Sequence, residues 1–403
     1  MNDAVNIFQQ HSHDLLPSAS KDEHARQDFA KSFKQYIQER ILPGVKMVYE
    51  NRSSRQFQAE NGHVPENRHE ARKAIAGDSY FQSYLSLQRS SQELMWRSVC
   101  DSVERQLDEL IEKAQSKKSS LGSLTLQPGF EPPRYATAVD IHCMPGGYAN
   151  SVCENDISAG AVYDRGVYLY AMGYMGPFND DMGRSVCNYI KRKFPDFQPE
   201  SIVDLGCTVG HSTLPFAETF PDAQVHGVDI GEGILRYAHA RAEALDHKVH
   251  FAQQDASQLD YEDESFDLVV SHILLHETSG KAMPKVFEEC YRILKPGGMM
   301  IHADLPPFEN MDVYTQLILD NETYYNNEPF WGAMRELDQV ELATKAGFKK
   351  DDIHFDSAPM AIMEFAQKLK NNDVEASQNV ADRDFEAGEY APGGGWEVLV
   401  AQK

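Results

Sequence analysis

At 403 residues the chain is longer than one average domain, and two parts are expected. Apolar residues make up 41% and charged residues 25%, enough apolar content for sizeable cores in an ordinary globular protein. The formal net charge of -24 argues against DNA, RNA or an anionic membrane surface as partner, because those attract Lys- and Arg-rich faces.

The six cysteines, at 100, 143, 153, 187, 207 and 290, form no CxxC pair. Neither a zinc site nor a disulfide framework is expected, and reduced thiols in a cytoplasmic protein are. The first twenty residues lack a basic start followed by an apolar core, so no signal peptide is read. No apolar run approaches the roughly 18 residues that a membrane helix needs.

Ser20-Lys21-Asp22-Glu23 has capping-box spacing, and a helix is expected from there to about Ile41, stopping before Pro43. Residues 49–75 carry few apolar anchors and read as a loop with short helical turns. A long helix is expected from Ser79 to Lys113, broken near Ser90-Ser91. Its stripe of Leu94, Val99, Val103, Leu107, Leu110 and Ile111 serves either as a homodimer seam or as packing on the rest of the chain. Residues 115–134, with KKSSLGS and PGFEPP, read as a linker, which sets a helical N-terminal region at 1–130.

Residues 131–180 hold HCMPGGY (142–148) and YDRGVYLYAMGYMG (163–176). Tyrosine offers a flat apolar face with a polar tip, so this connecting segment suits either a pocket wall or plain packing. From 181 onward strands and helices alternate. A helix at 181–194 precedes strands at 201–205, 224–229, 249–254, 266–271 and 299–304, and two more follow near 352–355 and 396–401. A polar, Gly-rich stretch (371–395) separates the last two. This pattern implies an α/β fold with a mostly parallel sheet and helices on both faces. An aromatic insert occupies 305–335.

The first strand ends on Asp204-Leu205-Gly206 and turns through Gly210, and the second ends on Val228-Asp229. Glycines allow close backbone approach to a ligand, and an acid ending the second strand can accept from ribose hydroxyls. The dinucleotide fingerprint GxGxxG is absent, so a nicotinamide oxidoreductase fits poorly.

The stretch Asp204-Leu205-Gly206-Cys207-Thr208-Val209-Gly210 resembles the first motif of class I S-adenosylmethionine-dependent methyltransferases. Val228-Asp229, Gln254-Asp255-Ala256, Phe266 to Ser271 and Leu294-Lys295-Pro296-Gly297-Gly298 follow in that family's order. The resemblance implies the Rossmann-like fold, a seven-stranded sheet with an antiparallel edge hairpin, over 181–403. It also implies S-adenosyl-L-methionine as cofactor, bound by Asp204, Gly206, Cys207, Gly210, Asp229, Ile230, Asp255, Ala256, Ser271 and His272. Tyr163 or Tyr168 would close over its methionine end. A small organic acceptor would meet Tyr174, Tyr325, Phe330 and Trp331.

Leu275-His276-Glu277 resembles the Leu-His-Asp element of small-molecule O-methyltransferases, which makes His276 the expected base; the other reading is a mere pocket wall. His272 and His276, four apart, would share one helical face. They lack the glutamate placement of zinc-protease helices and any third ligand by spacing, so no metal is expected. C-, N- or S-methylation by proximity alone, and cofactor binding without catalysis, are the alternatives to O-methylation.

Overall fold

The computed structural model describes residues 9–116, 121–372 and 394–403. Most of the 371–395 stretch therefore lies outside the described residues. Eight strands form one sheet: β1 (Ser123–Thr125), β2 (Ser201–Leu205), β3 (Gln224–Asp229), β4 (His250–Gln253), β5 (Phe266–His272), β6 (Leu294–Asp304), β7 (Ile353–Pro359) and β8 (Gly395–Gln402). Their order is β1-β4-β3-β2-β5-β6-β8-β7. All neighbours run parallel except β8, which lies antiparallel between β6 and β7.

The expected seven strands are thus joined by an eighth. Ser123, Leu124 and Thr125 pair with His250, Phe251 and Ala252, inside the stretch read as a linker. Three residues are too short for a strand pattern to show in sequence, and their partner is some 125 positions away. The boundary drawn at 130 therefore cuts through the sheet-forming part of the chain.

The period-2 geometry of a strand sends alternate side chains to opposite faces. Leu268, Val270, Met299, Ile301, Val398 and Val400 enter one core layer with the helix Asp181–Lys193. Val269, Met300, Leu399 and Ala401 enter the other with Met283–Ile293 and Gln339–Ala346. Both faces are covered, which is why the central strands read as nearly continuous apolar runs.

The N-terminal helices build two further layers. Helix Lys21–Tyr36 starts at the expected capping box, with Ser20 and Glu23 bonded reciprocally. It does not stop before Pro43. A π turn at Ile37–Ile41 leads into Leu42–Val48, where proline sits in the first turn and needs no N–H partner. Residues 49–75 are more helical than expected, with Ser54–Asn61 and Arg68–Ile75 joined by a non-helical link at 62–67. Phe57, Ala71 and Ile75 are buried, and the second of these helices packs on the insert helix Val313–Tyr325.

The long helix runs unbroken through Ser90-Ser91 as Ser79–Glu104, and Leu107–Ser116 follows after a break at 105–106. Met95, Trp96, Val99, Val103 and Leu110 are buried against Ser158–Tyr170 and the outer face of Glu232–Ala244. The stripe that suggested a dimer seam is therefore covered within the chain. No described helix is long and apolar enough to cross a membrane.

Candidate functional site

The chain leaves β2 for β3 and β4 on one side and returns to β5 on the other. The carboxyl end of β2 is thus the point where an open α/β sheet forms its ligand crevice. A cavity of about 1420 Å³, counting its open mouth, lies there. Asp204, Gly206, Cys207, Asp229, Ile230, Asp255, Ala256, His272, His276 and Tyr163 all line it.

Gly206 adopts φ +70, a left-handed conformation that glycine takes without steric cost. That turn lets the backbone N–H groups of Gly206 and Cys207 both donate to Val228 O, at 2.8 and 3.0 Å. Asp229 accepts from Thr208 N through one oxygen and Gly231 N through the other, each at 3.0 Å. Burial pushes its carboxyl up to about 6 in spite of those bonds. Asp204 accepts from Thr213 Oγ1 at 2.6 Å and meets His272 Nδ1 at 3.0 Å. Cys207 is buried, and burial with the two aspartates pushes its thiol well up, which makes it a wall and not a nucleophile. Asp255 Oδ1 accepts from Ser257 N at 2.8 Å, so it also caps its own turn.

Three expected cofactor residues stand off the cavity wall. Gly210 (φ +77) shapes the turn and faces the Phe251 ring. Ser271 is fully buried behind the wall, with Oγ 2.6 Å from His302 Nδ1. Tyr168 lies under the cations of Lys31 and Arg165. Five residues on a helix turn about 140°, so Tyr168 points away from the face that Tyr163, Val167 and Tyr170 present to the cavity.

His272 and His276 do not share a helical face. His272 ends β5, Ile273 takes φ +55, and His276 sits in a 3-10 turn at Leu275–Glu277. His276 is 1% exposed and its Nδ1 lies 2.7 Å from Asp304 Oδ1 at the end of β6. Asp304 is held in turn by the N–H groups of Leu275 and Leu305, both at 2.8 Å. Burial opposes a charge on His276, but the Asp304 carboxylate, together with Glu328 and Glu277, outweighs it and raises the imidazole above its ordinary value.

Beside it, His142 bridges two carboxylates. Its Nε2 lies 3.1 Å from Glu277 Oε1 and its Nδ1 2.5 Å from Glu328 Oε1. Tyr148 donates to Glu277 Oε1 at 2.8 Å. Burial opposes protonation of His142, yet Glu328 and Glu277 push it up to about 10. The donor atoms of His142, His276, Glu277 and Glu328 fall within 4.8 Å of one another, a metal-ligand set that chain spacing does not reveal. A protonated His142 already supplies a cation between the two glutamates.

The long helix supports this cluster. Gln92 Nε2 and Trp96 Nε1 donate to the carbonyl of His142, at 3.0 and 2.7 Å. Gly166 is glycine because a Cβ there would lie 2.0 Å from the Trp96 ring. The residues missed in sequence, His142, Tyr148, Tyr170 and Glu277 among them, fall partly in the Tyr/Gly-rich segment, whose composition was the available signal.

Of the expected acceptor residues, Tyr174 and Tyr325 line a second cavity that shares Tyr170, Ala171 and Met175 with the first. Trp331 is buried edge-on against His276, with centroids 4.9 Å apart. Phe330 meets Tyr135, a residue of the first cavity, at 5.9 Å. These last two act from behind the wall.

Residues 202–298 match a family described as "Methyltransferase domain". The chain is 33% identical over 110 residues to an uncharacterized protein of Haemophilus influenzae, covering 27% of this chain and 43% of that one. It is 28% identical over 203 residues to the biotin biosynthesis bifunctional protein BioHC of Saccharophagus degradans, covering 49% and 32% respectively. The chain thus spans less than half the length of these curated relatives. A solved structure, phosphoethanolamine N-methyltransferase 2 of Haemonchus contortus with phosphomonomethylethanolamine and S-adenosylhomocysteine, aligns at 23% identity and a TM-score of 0.42, covering 60% of this chain and 58% of that one.

Proposed function

We propose that this chain, which carries a class I methyltransferase domain, transfers a methyl group from S-adenosyl-L-methionine to a hydroxyl of a small organic acceptor, with His276 as base. The observation that carries the reading is the His276–Asp304 pair at the wall of the cavity beyond β2.

The residues present fit the cofactor. Asp229 has both oxygens oriented by backbone N–H groups and retains lone pairs for ribose hydroxyls. Ile230, Asp255 and Ala256 line the same cavity and would flank the adenine. Asp204 and the backbone at Gly206 would meet the amino-acid end, with Tyr163 across from them. The buried Nε2 of His272 has no hydrogen-bond partner among the described residues and offers a further polar contact on the same wall. When bound, the cofactor supplies an electrophilic methyl group on a sulfonium.

The chain's own work is then positioning and proton removal. Asp304 accepts from Nδ1–H of His276, which leaves Nε2 with the lone pair. That nitrogen takes the proton from the acceptor hydroxyl, and the adjacent carboxylate stabilises the imidazolium that results. The buried setting excludes water from the developing alkoxide. The acidic composition and the six free thiols favour a small molecule in the cytoplasm over nucleic acid.

His276→Gln tests the role. Labelled methyl transfer into a metabolite extract should fall by roughly 10²- to 10⁴-fold, while affinity for S-adenosylhomocysteine stays unchanged. Full turnover in the variant removes the base and leaves transfer to N, C or S by proximity as the better reading.

A further inference from the structure

The second cavity draws on all three parts of the chain that the methyltransferase motifs leave unexplained, the N-terminal helices, the Tyr/Gly-rich segment and the aromatic insert, and is closed by Met360, Met363 and Trp396 beside the sheet edge. It meets the first cavity at Tyr170, Ala171 and Met175. Across that shared boundary an acceptor longer than the space beside His276 would extend into it.

Two opposite charges line this chamber, Lys34 from the first helix and Glu322 from the insert helix. Among the described residues no direct ion pair joins them. Lys34 Nζ instead donates to Gln92 Oε1 and lies 4.4 Å from the centroid of the Tyr170 ring. Glu322 Oε1 accepts from Gln88 Nε2 at 2.7 Å, and the buried Oε1 of that same Gln88 has no hydrogen-bond partner among the described residues. Burial pushes the Lys34 ammonium down and the Glu322 carboxyl up, so each charge is costly where it stands. A ligand that presents the complementary pair relieves both.

We infer that the second cavity holds the distal end of the methyl acceptor, and that this end is the ammonium and carboxylate of an α-amino acid bearing a hydroxyl. The inference rests on the reading of the first cavity as the transfer site. The acceptor's carboxylate meets Lys34. Its ammonium meets Glu322 and the open carbonyl oxygen of Gln88. The unpartnered Gln88 Oε1 suits a donor at the Glu322 end, and a neutral ligand adds no charge partner to either Lys34 or Glu322 beyond those they have in the protein.

The test is calorimetry on the full chain loaded with S-adenosylhomocysteine, using two matched sets of probes. One is L-tyrosine, tyramine and 3-(4-hydroxyphenyl)propanoate; the other is L-homoserine, 3-aminopropanol and 4-hydroxybutanoate. In at least one set the amino acid should bind tenfold or more tighter than both relatives. Lys34→Met should erase the advantage over the amine, Glu322→Gln the advantage over the acid, and Lys34→Arg should keep it. Equal binding within both sets, no binding in either, or an advantage that survives both substitutions overturns the inference. Labelled methyl transfer from S-adenosyl-L-methionine to the same six probes, in samples free of S-adenosylhomocysteine, separates the two readings. Amino-acid binding without transfer defeats the O-methylation reading alone, and transfer without charge selectivity defeats this one alone.

Discussion

Asp304 Oδ1 lies 2.7 Å from Nδ1 of His276, joining the end of β6 to the turn that follows β5. Asp304 is itself fixed by two backbone N–H groups, so the imidazole has one preferred tautomer and one orientation. The pairing also raises the imidazole above its ordinary value. A base must be unprotonated to act, so the acid limb of kcat/KM should lie above pH 6.5. Asp304→Asn should move that limb to lower pH while reducing kcat by about 10²-fold or more. An acid limb in the same place in both proteins disconnects Asp304 from His276.

Asp229 is the acid that ends β3, and both its oxygens are committed to backbone donors around the glycine turn. Hydrogen bonds to a charged group contribute about 1.5–3 kcal/mol. Asp229→Asn should therefore weaken S-adenosylhomocysteine binding by about 10- to 150-fold, read by calorimetry, with the fold retained by circular dichroism. Unchanged affinity would detach Asp229 from the ribose.

His142 sits between Glu277 and Glu328 and is held up to about 10. A group whose folded value is raised stabilises the fold fully below its unfolded value, about 6.5, and loses that contribution as pH rises through the folded value. The protein should thus exceed Glu328→Gln in Tm by the widest margin near pH 6, and the margin should close toward pH 10. Dialysis against a chelator should leave Tm and methyl transfer unchanged, because the imidazolium supplies the local cation. Loss on chelation and recovery with a divalent ion would make His142, His276, Glu277 and Glu328 a metal site instead.

Asp320 in the insert helix is fully buried and pairs with Arg68 at 2.9 Å and Arg72 at 3.0 Å. Removing one partner of a buried pair costs about 3–5 kcal/mol. Asp320→Ala should lower the unfolding free energy by that order in denaturant titration. Because these contacts tie the N-terminal helices to the insert, it should also weaken acceptor binding more than S-adenosylhomocysteine binding. A loss below about 1 kcal/mol would show that the helices dock by apolar contacts alone.

The methyltransferase core was legible because its signals are local. The turn at Gly206, the acid at Asp229 and the alternation of β5 lie within short windows, and strand period and glycine conformation are properties of the chain itself. The insert's aromatic content likewise pointed to the region that lines the second cavity through Tyr325. The errors came where short segments depend on distant partners. Residues 123–125 become a strand only beside β4, and the helix at 68–75 packs under the insert. Tyr163 and Tyr168 could not be told apart until the helix fixed which face meets the cavity.

The sequence by itself determined the α/β alternation, the glycine turn with its flanking acids, and the histidine after β5, because each is written within a few residues. Tertiary structure alone decided that Asp304 orients His276, that His142 lies between Glu277 and Glu328, and that Lys34 and Glu322 face one chamber. Those groups are 28 to 288 positions apart. No local pattern brings them together; the packing of the N-terminal helices and the insert over the carboxyl edge of the sheet does.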